Sequence, residues 1–529
     1  MQITRRTLLA ALATLPMARM ARGEVAHRLT ILHVNDIHSR HEAVDARSLT
    51  CKAGSRPDCL GGTARLATAL FTDRDAARAA GRDVLQLDAG DQFQGSLYYT
   101  AWKGEVELAV AHAFGTEAMT VGNHEFDNGP DTLARFVRGA TFPVLSANID
   151  ASAEPSLAGL LRPSVLFTRA GLKIGVVGAT TLQTATTSSP GPLIRFTDPG
   201  AALAAQAAQL RAQGAQLVIA LSHLGVEQDR LLAGHIPGVD AFIGGHSHTL
   251  LSDSEAGAAG PAHEMITGPA GSAIVVQAAC YARYFGRLDL DIDAQGRLLA
   301  VGGDVRHVGP DLPEEPGVAA IIGHYAAQLD SIRRRVVGTA PAAIDVTSCR
   351  VAECSFGNFI ADALLAATPS ADVALFNGGG MRTGLPAGKI TLGDVLTALP
   401  YGNTTATVQV SGDDLRQTLA NGVARAGSGA FPQIGGMRFV WSPQAPKDQR
   451  LGRVDIRQHD GGYAPLDPMR VYTVVTNNFI RTGGDGYTML RDHGRNAYDT
   501  GPGVDEIVQQ AIARLGRIAP QVEGRITTE

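Results

Sequence analysis

Five short clusters in the first half of the chain combine residue types that hold divalent metals. They are Asp36 and His38 in NDIH, Asp91 in GDQ, Asn123 in GNHEFD, His223 in LSH, and His246 and His248 in GGHSH. Each follows or ends an apolar run with strand character: LTILHV, DVLQLDA, AMTV, AQLVIAL and VDAFI. An Asp-x-His at a strand end can turn both side chains to one side. A single strand-end histidine is more often a hydrogen-bonded structural residue. Seven nitrogen and oxygen donors at five strand ends are a costly gathering of polar groups unless a cation collects them. The count suits two ions. Asp36, His38, Asp91 and His248 surround one, and Asp91, Asn123, His223 and His246 the other, with Asp91 bridging. Two divalent ions about 3.5–4 Å apart clamp a phosphate and acidify a water. Metal-assisted hydrolysis by an activated water is the chemistry this suits. A donor set of mainly imidazole with only two carboxylates favours Zn, Mn, Co or Fe over Mg or Ca.

The stretch VGNHEFD adds acid–base residues beside the donors. His124 is placed to stabilise charge on a phosphoryl group or to protonate the leaving oxygen. Asp127 is placed to orient His124 and keep it cationic. Glu125 reads as structural, and Asp88, Gln92 and His33 as core residues or supports of the ligands.

Positioning these groups requires an α/β framework. Ala-, Leu- and Arg-rich helical patterns, such as residues 62 to 80 and 201 to 213, alternate with the strands, and chemistry in such folds gathers at the carboxyl ends of strands. GRLDLDID, a turn at Ala294-Gln295-Gly296, and RLLAVGGDV predict an antiparallel pair that closes the first domain. After the Pro-rich break PDLPEEPG, Val318, Ile322, Tyr325, Leu329 and Ile332 recur at helical spacing. The expected organisation is a catalytic domain over 24–312, a bridging helix over 313–335 and a second domain over 336–529. In the second domain Arg350 and Arg382 are loop cations, either solvated or in contact with a ligand, and Gly378-Gly379-Gly380 allows close backbone approach. Phe431 and Phe479 read, by sequence alone, as buried loop anchors.

With 529 residues, 45% apolar and 18% charged, the chain can form two or three ordinary globular domains. Residues 1–23 contain Arg5-Arg6 ahead of a short apolar run from Leu8 to Leu15, the layout of a twin-arginine export signal and too short to span a bilayer. This segment carries four Arg and no acid, so its removal takes the formal net charge from -5 to -9. A mildly acidic chain without basic blocks is a poor binder of long nucleic acid. The polar end QVEGRITTE predicts no lipid anchor. An exported, periplasmic or secreted protein without a stable membrane anchor is therefore expected. Cys51 with Cys59, and Cys349 with Cys354, read as two small-loop disulfides, which leaves Cys280 as a buried free thiol.

Taken in order, DxH, GDxxxG, GNHE, a lone SH and GHSH resemble the calcineurin-like metallophosphoesterase signature. LTILHVNDIHSR, LDAGDQFQG, GNHEFDNG, FPVLSANI, GGHSHT and GGDGY extend the resemblance to the 5′-nucleotidase family along nearly the whole chain. The cysteine pairs and FNGGGMR resemble its ecto-5′-nucleotidase branch, in which an amide often stands where this chain has His248. The resemblance implies a four-layer αββα sandwich, a bridging helix and a C-terminal α/β domain that binds a nucleotide. It implies that Phe431 and Phe479 sandwich the base, that Arg350, Asn377 and Arg382 hold the ribose and phosphate side, and that Asp485 holds ribose hydroxyls. The substrate would then bridge an interdomain cleft, with release of phosphate from nucleoside 5′-monophosphates as the expected reaction. Alternatives on the same fold are UDP-sugar hydrolysis and 2′,3′-cyclic nucleotide hydrolysis. The Sox-type thiosulfohydrolases share the fold but are disfavoured by the phenylalanine pair and NGGGMR. A nucleotide-binding protein without catalysis is disfavoured by the intact donor set.

Overall fold

The computed structural model describes residues 24–44, 51, 59–458 and 460–529; the twin-arginine segment at 1–23 lies outside the described residues. In the strand His27–Val34, Leu29 and Ile31 enter one hydrophobic cluster while Leu32 and Val34 enter another. A strand apolar on both faces must be covered on both. It sits inside a seven-stranded sheet whose main path runs Leu298–Gly302, Tyr284–Ile292, His27–Val34, Asp83–Asp88, Ala118–Thr120, Val144–Leu145. A second sheet of six strands runs Glu264–Gly268, Gly271–Val276, Ala241–Ile243, Leu217–His223, Leu172–Thr180, Ser164–Arg169.

Leu29, Leu85 and Leu87 of the first sheet meet Ile174, Ile219 and Ile243 of the second in the core between them. Helices Thr63–Ala79, Glu105–Phe114 and Pro316–Arg333 cover the outer face of the first sheet. Helix Pro199–Ala212 covers that of the second through Leu203, Ala207 and Leu210. The four layers are therefore α, β, β, α. Helix Pro199–Ala212 starts where the Asp198 carboxylate accepts the Ala201 N–H at 2.7 Å, with Pro199 in the first turn. The expected hairpin forms between Tyr284–Ile292 and Leu298–Gly302. Asp293 shapes its turn by accepting the N–H groups of Gln295 and Arg297, each at 2.9 Å.

The helix Pro316–Arg333 connects the two domains and buries Val318, Ile322 and Leu329 against the first. Its packing therefore joins it to the first domain's outer layer. The second domain is built on a five-stranded sheet ordered Pro432–Gly435, Val373–Asn377, Val471–Asn477, Thr405–Ser411, Arg495–Tyr498. Helices Ser355–Ala367 and Val504–Leu515 pack on one face and Gly412–Ala424 on the other. A four-stranded sheet, which includes Met437–Trp441, adjoins it.

Both expected disulfides are present, Cys51–Cys59 with Cα atoms 6.1 Å apart and Cys349–Cys354 at 5.0 Å. Cys280 is free but half-buried, not the buried thiol expected, because it sits on the loop beside His248 rather than in a core. Among the described residues no helix is long and apolar enough to cross a membrane.

Candidate active site

Three neighbouring parallel strands of the first sheet and two of the second deliver the donors. His27–Val34 leads to Asp36 and His38, Asp83–Asp88 to Asp91, and Ala118–Thr120 to Asn123; Leu217–His223 ends on His223, and Ala241–Ile243 leads to His246 and His248. Just past the strands the backbone turns sharply. Asp36, His38, Asp91, His246 and His248 have φ of 51°, 52°, 55°, 77° and 54°. Non-glycine residues rarely adopt this left-handed conformation, and such strain concentrates where function holds it in place. The loops brace one another: the Asp36 N–H donates to the Gly90 carbonyl (2.9 Å), and the His38 N–H to that of Asp91 (3.0 Å). Gly122 is required by close approach, because a Cβ there would stand 2.2 Å from Asp91 Oδ1.

The ligand atoms of Asp36, His38 and His248 lie within 4.8 Å of one another, as do those of Asp91, His223 and His246. Asn123 Oδ1 is 2.9 Å from His246 Nδ1. His38 Nδ1 donates to the Phe93 carbonyl (3.2 Å) and His223 Nδ1 to that of Ala89 (2.7 Å). A carbonyl only accepts, so each neutral ring has its lone pair at Nε2. His223 Nε2 lies 3.0 Å from Asp91 Oδ2, yet both buried atoms lack a hydrogen-bond partner of proper geometry. Two electron-rich atoms so placed call for a cation. The electrostatics agree. Burial works against charge on His223, but Asp91 outweighs it and pushes the ring up to about 9. Burial drives both His38 and His246 down to about 3, the neutral form that ligates. The donors are compatible with a dinuclear metal centre.

His124, fully buried, approaches Asp127 Oδ2 with Nδ1 at 2.6 Å. Burial opposes its charge, but Asp127 and then Asp91 override this and raise the ring to about 10. It is an imidazolium whose Nε2 donates to the Thr500 carbonyl of the second domain. Ser188 holds the other oxygen of Asp127 at 2.8 Å. Glu125 accepts four backbone N–H groups, from Gly122, Asp91, Gln92 and Phe93, at 2.7, 3.0, 2.8 and 3.2 Å. It fixes the loop that carries Asp91. Asp88 similarly accepts the Gly90 N–H and the Gln92 side chain, and His33 is packed tightly against Gly286.

In the second domain a cavity of about 560 Å³ is lined by Arg350, Asn377, Arg382, Tyr401, Phe479 and Asp485 among others. Asn377 Nδ2 donates to Asp485 Oδ2 (2.8 Å), and Asn477 orients Asn377 from behind (2.9 Å). Phe479 is the exposed aromatic of this wall. Phe431 is not part of it. It is fully buried and packs on Trp441 with ring centroids 5.3 Å apart, because it immediately precedes the strand Pro432–Gly435 in the middle of the domain. Its backbone still supports the pocket, since its carbonyl accepts the Gly378 N–H at 2.8 Å. The second ring on the cavity is Tyr401, from LPYGN, an aromatic in a turn-rich loop that sequence reading passed over. A neighbouring cavity of about 690 Å³ is lined by His246, His248, Tyr498 and Thr500. Asn478 and Thr482 line both cavities, so the second-domain pocket and the metal side share a wall.

The two-sheet fold and its donor set define a phosphoesterase of the calcineurin-like class, and the calcineurin-like phosphoesterase family model matches residues 29–250. The model for the 5′-nucleotidase C-terminal domain matches residues 336–492. The human 5′-nucleotidase is 34% identical over 528 residues, covering 95% of this chain and 91% of that protein. The trifunctional nucleotide phosphoesterase of Bacillus subtilis is 32% identical across 94% of this chain and 35% of its own length. The crystal structure of a 5′-nucleotidase precursor from Thermus thermophilus is 37% identical, covers 95% of this chain and 99% of its own, and superposes with a TM-score of 0.60. The NAD nucleotidase of Haemophilus influenzae, 24% identical over 95% of this chain and 99% of its own, shares the fold at a TM-score of 0.82. The chain belongs to the 5′-nucleotidase family.

Proposed function

We propose that the protein is a metal-dependent 5′-nucleotidase that converts nucleoside 5′-monophosphates to nucleoside and phosphate. The observation that carries this reading is the shared wall: a cationic, aromatic pocket opens beside the cavity of the metal ligands through Asn478 and Thr482. Asp36, His38, Asp91, Asn123, His223, His246 and His248 would hold the divalent cations, which would supply Lewis acidity and acidify a water. The imidazole-rich set supports Zn, Mn, Co or Fe.

The chain's own groups do the rest. His124, kept cationic by Asp127, donates from Nε2 to a phosphoryl oxygen and offsets the charge that grows there. Arg350 and Arg382 balance the phosphate and orient the ribose side. Asp485, steadied by Asn377, accepts from ribose hydroxyls. Phe479 and Tyr401 offer ring faces to the base, which gives affinity with little discrimination among bases. Hydrolysis of AMP in ¹⁸O-water tests the reaction. Label in phosphate and none in adenosine is expected, because water attacks phosphorus and the P–O5′ bond breaks; label in adenosine contradicts it.

A broader nucleotide phosphoesterase activity is the second reading, supported by the likeness to about a third of the trifunctional nucleotide phosphoesterase of Bacillus; 2′,3′-cyclic nucleotides and UDP-sugars are the substrates that would reveal it. Export through the twin-arginine segment is also proposed, supported by two disulfides that persist in oxidising compartments. Fractionation of cells carrying Arg5→Lys and Arg6→Lys tests it: the enzyme should remain in the cytoplasm.

A further inference from the structure

Two residues of the second domain, Tyr498 and Thr500, occupy polar groups of the catalytic centre. The Thr500 carbonyl accepts from His124 Nε2, the atom assigned to the phosphoryl group. Tyr498 Oη accepts from Asn123 Nδ2 at 2.9 Å and donates to the Thr500 carbonyl at 3.0 Å. The Tyr498 ring stacks on His246, with centroids 6.1 Å apart and planes 27° apart. Between them Asp499 forms a two-pronged ion pair with Arg481, and its carbonyl accepts from Thr404 Oγ1. Arg481 ends the helix Asn478–Arg481, which carries Phe479 and Asn478 of the second-domain pocket.

We propose that Tyr498-Asp499-Thr500 is a built-in substrate mimic that competes with every phosphate ester for His124. The Thr500 carbonyl takes the place of a phosphoryl oxygen at His124, and the Arg481–Asp499 pair ties this strap to the helix that meets the base. Any phosphate ester, or free phosphate, must displace the strap before His124 can donate to it, so the strap lowers the apparent affinity for all of them by the same factor. This rests on the nucleotidase reading for what fills the pocket, but not for the competition at His124.

The test uses the full-length, metal-loaded enzyme. Tyr498→Phe removes the bridge from Asn123 to Thr500, and Asp499→Asn and Arg481→Gln release the strap from the helix. Losing one such hydrogen bond in competition with a ligand is read as a change of about 3- to 10-fold. Each variant should raise kcat/KM for AMP and for an aryl phosphate alike, and lower the Ki of inorganic phosphate, by that factor. Arg481→Lys should return values towards wild type. Unchanged phosphate Ki and aryl phosphate kinetics in well-folded Tyr498→Phe, with a wild-type melting temperature, overturn the proposal. If the wild-type enzyme cleaves the aryl ester but no nucleotide, the nucleotidase reading fails, and the phosphate Ki still decides whether the strap competes at His124.

Discussion

Asp91 and His223 meet at 3.0 Å through atoms that have no hydrogen-bond partner of proper geometry, with the far side of the His223 ring fixed by the Ala89 carbonyl. In the neutral ring this leaves the Nε2 lone pair facing a carboxylate, a place that a proton or a metal cation fills. Asp91 also lies 3.7 Å from His38 Nε2, so one carboxylate serves both halves of the centre. Asp91→Ala should reduce bound divalent metal from two ions to at most one per chain and lower kcat by at least about 10³-fold. Metal analysis of the purified variant, beside its kinetics, checks this.

His124 should be separable from metal binding. His124→Ala should lower kcat by at least about 10²-fold at unchanged metal content. The sign of the pH dependence follows from the raised ring. A group raised to about 10 stays protonated through neutrality and loses its proton as pH rises through that value. Activity should fall on the alkaline side, and Asp127→Asn should move that limb to lower pH by removing the charge that holds the proton. The ring's contribution to stability has the same sign: present in full below about 6.5, the ordinary value, and lost by about pH 10. A kcat profile of Asp127→Asn that overlays wild type would separate Asp127 from His124.

The three aromatic residues predict two different outcomes. Phe479→Ala and Tyr401→Ala should raise KM for AMP by about 10- to 100-fold, the worth of one stacked base, and leave metal content unchanged. Phe431→Ala should act on stability, by about 3–5 kcal/mol as for a large core truncation. Thermal denaturation and AMP kinetics on the three variants check this together.

Glu125 is the anchor of the Asp91 loop. Glu125→Ala leaves four backbone N–H groups without their acceptor at a buried site. At about 1–3 kcal/mol for each unsatisfied buried group, a strong loss of stability is expected, with weaker metal affinity. A chemical denaturation midpoint equal to wild type contradicts this role.

The layered α/β fold was legible because each buried strand is an apolar run that ends abruptly in polar residues, as in LTILHV before NDIH. The seven donors were legible for the same reason, since a strand end fixes where the next few side chains can be. By its residues alone Phe431 read as a buried anchor, which it is; the resemblance placed it on the base, but Pro432–Gly435 pairs with Val373–Asn377 and draws the preceding ring into the core. Tyr401 lay in LPYGN, where one aromatic among turn residues was the available signal. The contacts of Tyr498 and Thr500 had no such signal. They join residues 375 and 376 positions apart, across the two domains, and follow from how those domains pack.

The most direct test of the central claim is inorganic phosphate release from AMP, other 5′-mononucleotides, 3′-AMP and an aryl phosphate, each with Mn or Zn and with chelator. Metal-dependent release from 5′-mononucleotides, well above 3′-AMP and abolished by chelator, is the predicted result. Release that survives exhaustive chelation, or activity on the aryl ester with none on any 5′-mononucleotide, would contradict it.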